Sequence, residues 1–109
     1  MALTMTFWPN PVYRNHTGEI RWYFHVSVRQ EGAKRIHIWR YRGEWYDLAE
    51  QLQDVQEASL DIHLEPYRHL SYPDLWVTSA IHPFRYCITL FGREEDGREV
   101  QATSALLCK

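Results

Sequence analysis

The chain has 109 residues with 14 acidic and 12 basic side chains, a formal net charge of −2, and five Trp, seven Tyr and four Phe. This length favours a single domain over residues 1–109, and the 45% hydrophobic content excludes an intrinsically disordered chain. No apolar run approaches the roughly 18 residues that suggest a transmembrane helix, and the near-neutral charge argues against a strongly basic nucleic-acid-binding domain.

The amino terminus and the cysteines predict a cytoplasmic protein. Residues 1–10 have neither the basic start nor the apolar stretch of a secretory signal, and Pro9 and Pro11 interrupt this segment. Cys87 and Cys108 form no CxxC motif and lie far apart in the sequence. We therefore expect both to be reduced thiols in a reducing compartment, with no membrane partner.

A predicted strand over residues 20–29 shows alternating apolar and polar side chains, and a second strand is predicted over residues 34–41. A short loop containing Gly32 is expected to join them as a hairpin, with Trp22 and Phe24 on the buried face. The outer face of this hairpin is then expected to carry an aromatic and basic ladder. Its rows pair Arg21 with Tyr41, Tyr23 with Trp39, His25 with His37, and Ser27 with Arg35.

The alternation changes to helical spacing after residue 46. Leu48, Leu52 and Val55 recur at intervals of three and four, and Asp47 resembles the first residue of a capping box. This pattern predicts one α-helix over about residues 48–59, with its acidic side chains facing solvent.

Period-two alternation returns in the rest of the chain. It predicts strands over residues 60–64 and 75–81, separated by a loop over 66–74, and a final hairpin over 84–106. This order predicts an α+β domain: a curved antiparallel sheet or half-barrel of about six to seven strands with the helix over residues 48–59 packed on it.

The ladder is the leading candidate for a binding surface. Arg, Tyr and Trp are enriched among residues that dominate protein–protein binding, and aromatic rings can also stack on nucleic-acid bases. The alternative is that loops or later strands of the domain cover this face. The candidate binding residues are Arg21, Tyr23, His25, Arg35, His37, Trp39 and Tyr41.

Charge is distributed unevenly along the chain. Residues 1–46 carry seven basic and three acidic side chains, whereas residues 47–66 carry six acidic and no basic ones. Such a split favours electrostatically guided association, including head-to-tail pairing of identical chains. We therefore predict a small non-catalytic domain that binds a protein partner or a second copy of itself and needs no cofactor.

Single-stranded nucleic-acid binding through the ladder is the second hypothesis. A short third strand is predicted over residues 44–46, before the helix. Three strands followed by a helix and two strands is an order similar to that of an OB-type barrel, whose sheet face binds single strands. The number of later strands exceeds that pattern, and an acidic helix would repel phosphate unless it lay on the far side.

A small metalloprotein or enzyme is the third hypothesis. His63 lies two residues from both Asp61 and Glu65 on one strand face, but this spacing is no more frequent than chance predicts for such a composition. No GxSxG, HExxH or phosphate-binding glycine motif occurs. We therefore predict no metal ligands and no catalytic residues, and the loop over residues 65–74 is where an unrecognised site would be sought.

Overall fold

The computed structural model describes residues 3–109, which form seven strands in two antiparallel sheets and no helix. The first sheet has the order β1-β2-β5 and the second has the order β4-β3-β6-β7. The strands are β1 (Leu3–Trp8), β2 (Trp22–Gln30), β3 (Ile36–Tyr46), β4 (Leu52–Leu64), β5 (His69–Val77), β6 (Phe84–Glu94) and β7 (Glu99–Cys108). Within the described part of the chain, no helix is long and apolar enough to cross a membrane.

The two sheets pack face to face through the apolar positions of their alternating strands. Trp22 and Phe24 are buried in this core, as the sequence predicts, and the Trp22 ring meets the Phe84 ring edge-on at a centroid distance of 4.8 Å. Strand β1 contributes Leu3 and Phe7 to the same core and was not predicted. The core is therefore shared between the two sheets.

The predicted α-helix over residues 48–59 is wrong, and with it the α+β fold class. These residues include the first part of β4, which pairs with β3 at the edge of the second sheet. Side chains from Leu52 to Ser59 are all exposed, so neither a helical nor an alternating burial pattern exists there. Glu57 lies 3.6 Å from both Arg40 and Arg42 of β3, which adds ion pairs to the backbone ladder.

The predicted hairpin between the strands over 20–29 and 34–41 is also wrong. Strand β2 pairs with β1 and β5, whereas β3 pairs with β4 and β6, so the chain crosses from one sheet to the other after Gln30. The buried Gln30 side chain donates to the carbonyls of Leu64 and Glu65 at 2.8 and 3.1 Å, linking the end of β2 to the end of β4. Alternation alone does not distinguish such a crossing from a hairpin.

The later strands agree better with the sequence. Strands β6 and β7 form the predicted hairpin, and Gly97 adopts a left-handed φ of 92° in its turn. Strand β5 begins at His69, within the predicted loop over residues 66–74, and ends at Val77 rather than at residue 81. The late hairpin was predictable because one face of each strand is apolar.

The two long sides of this β-sandwich differ. On the side of β1 and β7, the backbone of Val12 forms an isolated parallel β-bridge with that of Cys108. The Trp22 indole N–H donates to the Lys109 carbonyl at 2.9 Å. On the other side, β4 and β5 are the edge strands of their sheets and do not pair with each other. The sandwich is therefore sealed along one side and open along the other.

Candidate functional site

An apolar cleft of about 550 Å³ opens between the edges of β4 and β5. Its inner wall is formed by core residues of β2, β3 and β6, and its rim by side chains of the two edge strands. The main rim residues are Leu60, Ile62, Leu70, Leu75 and Trp76. This volume lies within the range of known ligand-binding pockets.

A β-bulge at Trp39 turns the aromatic side chains of β3 toward this cleft. The pairing of β3 with both neighbours shifts between Ile38 and Arg40. Relative to β6 the extra residue lies in β3, whereas relative to β4 it lies in β4. Because a bulge reverses which residues face inward, Tyr41 and Trp45 line the cleft while Trp39 stays outside. The prediction that Tyr41 shares an outer face with Trp39 is therefore wrong.

Tyr86 of β6 lies at the base of the cleft, where its ring packs against Trp45 with centroids 4.7 Å apart. Gly43 provides the necessary space, since a Cβ atom there would lie 2.7 Å from the Tyr86 hydroxyl. Burial, together with the neighbouring Tyr41 phenol, raises the pKa of Tyr86 to about 12. The Trp45 indole donates to the Thr78 carbonyl at 3.0 Å and connects the two sheets at this end.

The two edge strands beside the cleft differ in their protection. Strand β5 carries Pro73 at its centre and Asp74 with a left-handed φ of 59°, and proline and irregular backbone both hinder the addition of another strand. Strand β4 has 13 residues and contains no Pro, Gly, Lys or Arg. Its pairing with β3 shifts twice, and each shift leaves one extra residue in β4, but no proline interrupts its free edge. This edge is therefore the more accessible of the two, and its charged groups include Asp54, Glu57 and Asp61.

Tyr23 and His25 lie on the outer face of the first sheet, and Arg21 immediately precedes its strand β2. The Arg21 guanidinium lies 4.1 Å from the centroid of the Trp76 ring and donates to the Tyr23 hydroxyl at 3.3 Å. The His25 ring stacks on Trp8 with centroids 5.4 Å apart. Aromatic and basic groups do meet here, but with partners other than those predicted.

The other four predicted residues are in the second sheet or just before it. His37 and Trp39 lie on its outer face, and Arg35 pairs with Glu65 at 2.9 Å. Tyr41 lies in the cleft. The predicted rows that join these residues to the first sheet do not exist, because the outer faces of a sandwich point in opposite directions. A binding role for the seven residues remains a prediction.

A cluster that was not predicted lies on the outer face of the second sheet. Asp61 Oδ1 lies 2.8 Å from His37 Nε2 and 3.1 Å from His63 Nε2. The two imidazole rings are parallel, with centroids 4.3 Å apart. The hydrogen bond with His37 and the charge of His63 lower the pKa of Asp61. The sequence showed the Asp61–His63 spacing, but the contact with His37 depends on the pairing of β3 with β4.

Comparisons with known proteins identify the fold. No protein-family model matches the sequence, and no curated protein does. A crystal structure from Bordetella pertussis, of a protein provisionally named ApaA, superposes with a TM-score of 0.70 at 14% identity, covering 97% of this chain and 93% of that one. An X-ray structure of a Northeast Structural Genomics Consortium target gives a TM-score of 0.64 at 10% identity, covering 97% and 86%. At these identities the likeness concerns the fold alone.

Proposed function

We propose that this protein is a non-catalytic binding domain that accepts an extended segment of a protein partner along the free edge of β4. The observation that carries the proposal is that the apolar cleft lies directly beside an edge strand that contains no Pro, Lys or Arg. The proposal retains the protein partner predicted from the sequence. It moves the contact from the ladder of residues 21–41 to the β4 edge.

Backbone pairing would position the bound segment. An edge strand presents unpaired N–H and C=O groups, and a strand added to it lies about 4.7–4.9 Å away. Alternate side chains of that strand then point between the sheets, where Leu60, Ile62 and Leu75 form the apolar rim. Main-chain hydrogen bonds supply affinity in such complexes, and pockets for alternate side chains supply specificity.

Charge determines which partner suits this edge. Asp54, Glu57 and Asp61 give β4 acidic groups and no basic ones. A segment in which apolar residues alternate with Lys or Arg therefore complements β4 both in shape and in charge. A second β4 strand would bring acidic groups together, and nucleic-acid phosphates would be repelled in the same way.

A synthetic peptide in which Val and Lys alternate is the direct probe, and a peptide in which Ser and Lys alternate is its control. Isothermal titration of the full chain should show binding of the Val-Lys peptide and at least about tenfold weaker binding of the Ser-Lys peptide. The apolar side chains make this difference, because burying one Val contributes about 1.5–3 kcal/mol.

Three variants locate the contact. Asp54→Lys on β4 should weaken binding of the Val-Lys peptide, whereas the matched change Glu99→Lys on the far edge strand β7 should leave it unchanged. Leu75→Glu should also weaken binding, because this rim residue is 37% exposed and its carboxylate is solvated only in the free protein. Equal binding by Asp54→Lys and wild type would overturn the proposal. Self-association of the wild type that the Val-Lys peptide displaces would replace the partner segment with a second copy.

A further inference from the structure

We infer that His37, Asp61 and His63 form a binding site for a divalent transition-metal ion of the Zn²⁺ class. All three side chains lie on the outer face of the second sheet, away from the cleft, and one ligand atom from each lies within 4.8 Å of the other two. This site does not depend on the proposed binding of a partner segment.

Strand pairing places the three side chains together. His37 of β3 lies directly opposite His63 of β4, and Asp61 precedes His63 by two residues on the same strand. Side chains two residues apart on a strand share a face, and directly opposed side chains are close neighbours. The backbone of two paired strands thus holds all three groups before any ion binds.

The distances suit chelation. Zn²⁺ binds His nitrogen at about 2.0–2.1 Å and carboxylate oxygen at about 2.0–2.2 Å, so ligand atoms around one ion lie about 3–4 Å apart. The separations of Asp61 Oδ1 from the two Nε2 atoms, 2.8 and 3.1 Å, are close to this range. Binding of one ion by both nitrogens requires the two imidazoles to rotate out of their parallel stack.

The donor set and its exposure define the class of ion. Two imidazoles with one carboxylate suit Zn²⁺, Ni²⁺ or Cu²⁺, whereas Mg²⁺ and Ca²⁺ prefer sites made of oxygen ligands. The side chains of His37, Asp61 and His63 are 43%, 80% and 58% exposed, so an ion can enter from solvent and keep water in its remaining positions. A depression lined by His37, Trp39 and Arg93 adjoins the cluster.

Nearby basic groups have acidic partners of their own. Arg93 lies opposite His37 on β6, and its guanidinium lies 3.6 Å from Glu99. Arg35 lies 2.9 Å from Glu65. These ion pairs reduce the repulsion that an incoming cation meets at the cluster.

Titration of Zn²⁺ alone into the full, untagged chain tests the site. Calorimetry should show one bound Zn²⁺ per chain and no heat with Mg²⁺. We expect Zn²⁺ binding to weaken by more than about tenfold in Asp61→Asn, which preserves side-chain shape, and also in His63→Ala. Loss of a group that only supports a metal ligand already weakens binding by about tenfold, and loss of a ligand should cost more. His69→Ala, which removes an exposed imidazole of β5, is the matched control and should bind as wild type does.

Nuclear magnetic resonance gives a second measurement on the same samples. Substoichiometric Ni²⁺ should broaden the imidazole signals of His37 and His63 before those of His16, His25, His69 and His82. Absence of Zn²⁺ binding at millimolar concentration would overturn the inference. So would unchanged Zn²⁺ affinity in Asp61→Asn, or broadening that begins at another histidine.

Discussion

Gly43 and Tyr86 fit against each other across β3 and β6, and the glycine leaves the space that the phenol occupies. A Cβ atom on Gly43 would lie 2.7 Å from the Tyr86 hydroxyl oxygen and 3.1 Å from its Cε1. We expect Gly43→Ala to lower the free energy of unfolding by about 1–3 kcal/mol in urea denaturation, because overpacking outweighs the about 0.5–1 kcal/mol that Ala normally gains over Gly in a strand.

A double-mutant cycle tests the cause of that loss. Tyr86→Phe removes the hydroxyl that would meet the new methyl group, so Gly43→Ala should cost less in the Tyr86→Phe background than in wild type. Equal losses in the two backgrounds would show that the hydroxyl is not the obstacle.

Trp39 and Tyr41 should respond differently to truncation, although they are near neighbours on β3. Trp39 lies on the outer face, where the Arg40 guanidinium lies 5.3 Å from the Trp39 ring centroid and 4.0 Å from that of Phe91. Trp39→Ala should lower the free energy of unfolding by only about 1 kcal/mol, mainly through loss of the contact with Arg40. Tyr41→Ala should lower it by about 1–3 kcal/mol, because Tyr41 packs against the core from the cleft. Urea denaturation of the two variants measures both losses. A larger loss in Trp39→Ala than in Tyr41→Ala would contradict the bulge at Trp39.

Both cysteines should resist thiol reagents in the folded protein. Cys108 is inaccessible to solvent, and burial raises its pKa to about 12. Burial also raises the pKa of Cys87, although the nearby Arg85 charge opposes this shift. Since the thiolate is the reactive form, labelling by a disulfide reagent should be slow at neutral pH and rapid in urea.

An added surface thiol provides the control for that labelling. Gln101→Cys places a thiol at an exposed position of β7, and it should react quickly in the folded protein. Rapid labelling of Cys108 in the native wild type would mean that the sealed side of the sandwich opens readily.

Stability should fall in alkaline solution. The pKa of Tyr86 is raised from 10.0 to about 12, and that of Cys108 from 9.0 to about 12. Above pH 9 the unfolded chain loses these protons before the folded chain does, so the free energy of unfolding decreases as pH rises toward 12. Each group contributes at most about 1.4 kcal/mol per pH unit.

Urea denaturation at several alkaline pH values measures this decline. Tyr86→Phe should make it less steep, whereas Tyr13→Phe, at an exposed position, should not. A decline of the same slope in Tyr86→Phe would assign the effect to other groups.

Strands β2, β6 and β7, each with one buried face, could be predicted from the sequence, and the first part of β4 could not. The alternation around Trp22 and Phe24 and the hairpin ending at Gly97 reflect side chains that face a core. Leu52 and Val55 are exposed on an edge strand, so their helical spacing has no structural meaning. The free edge was missed because residues 52–59 carry no periodic burial signal. The cleft was missed because alternation does not show which strands lie on either side of it.

The partners of β2 and β3 were also not predicted. The spacing between the first two predicted strands permits a hairpin, but Gln30 instead links the end of β2 to the end of β4. His37 was therefore expected opposite His25, whereas it lies opposite His63. Alternation correctly predicts that Tyr23 faces outward. It wrongly predicts the same for Tyr41, because the bulge at Trp39 turns Tyr41 toward the cleft.

Amide hydrogen exchange with and without the Val-Lys peptide tests the proposed function most directly. If the peptide pairs with β4, alternate amides between Leu52 and Leu64 should exchange more slowly in its presence, and the amides of the far edge strand β7 should be unaffected. Peptide binding with unchanged exchange in β4, or with protection confined to β7, would contradict the proposal that this edge and its cleft receive a partner segment.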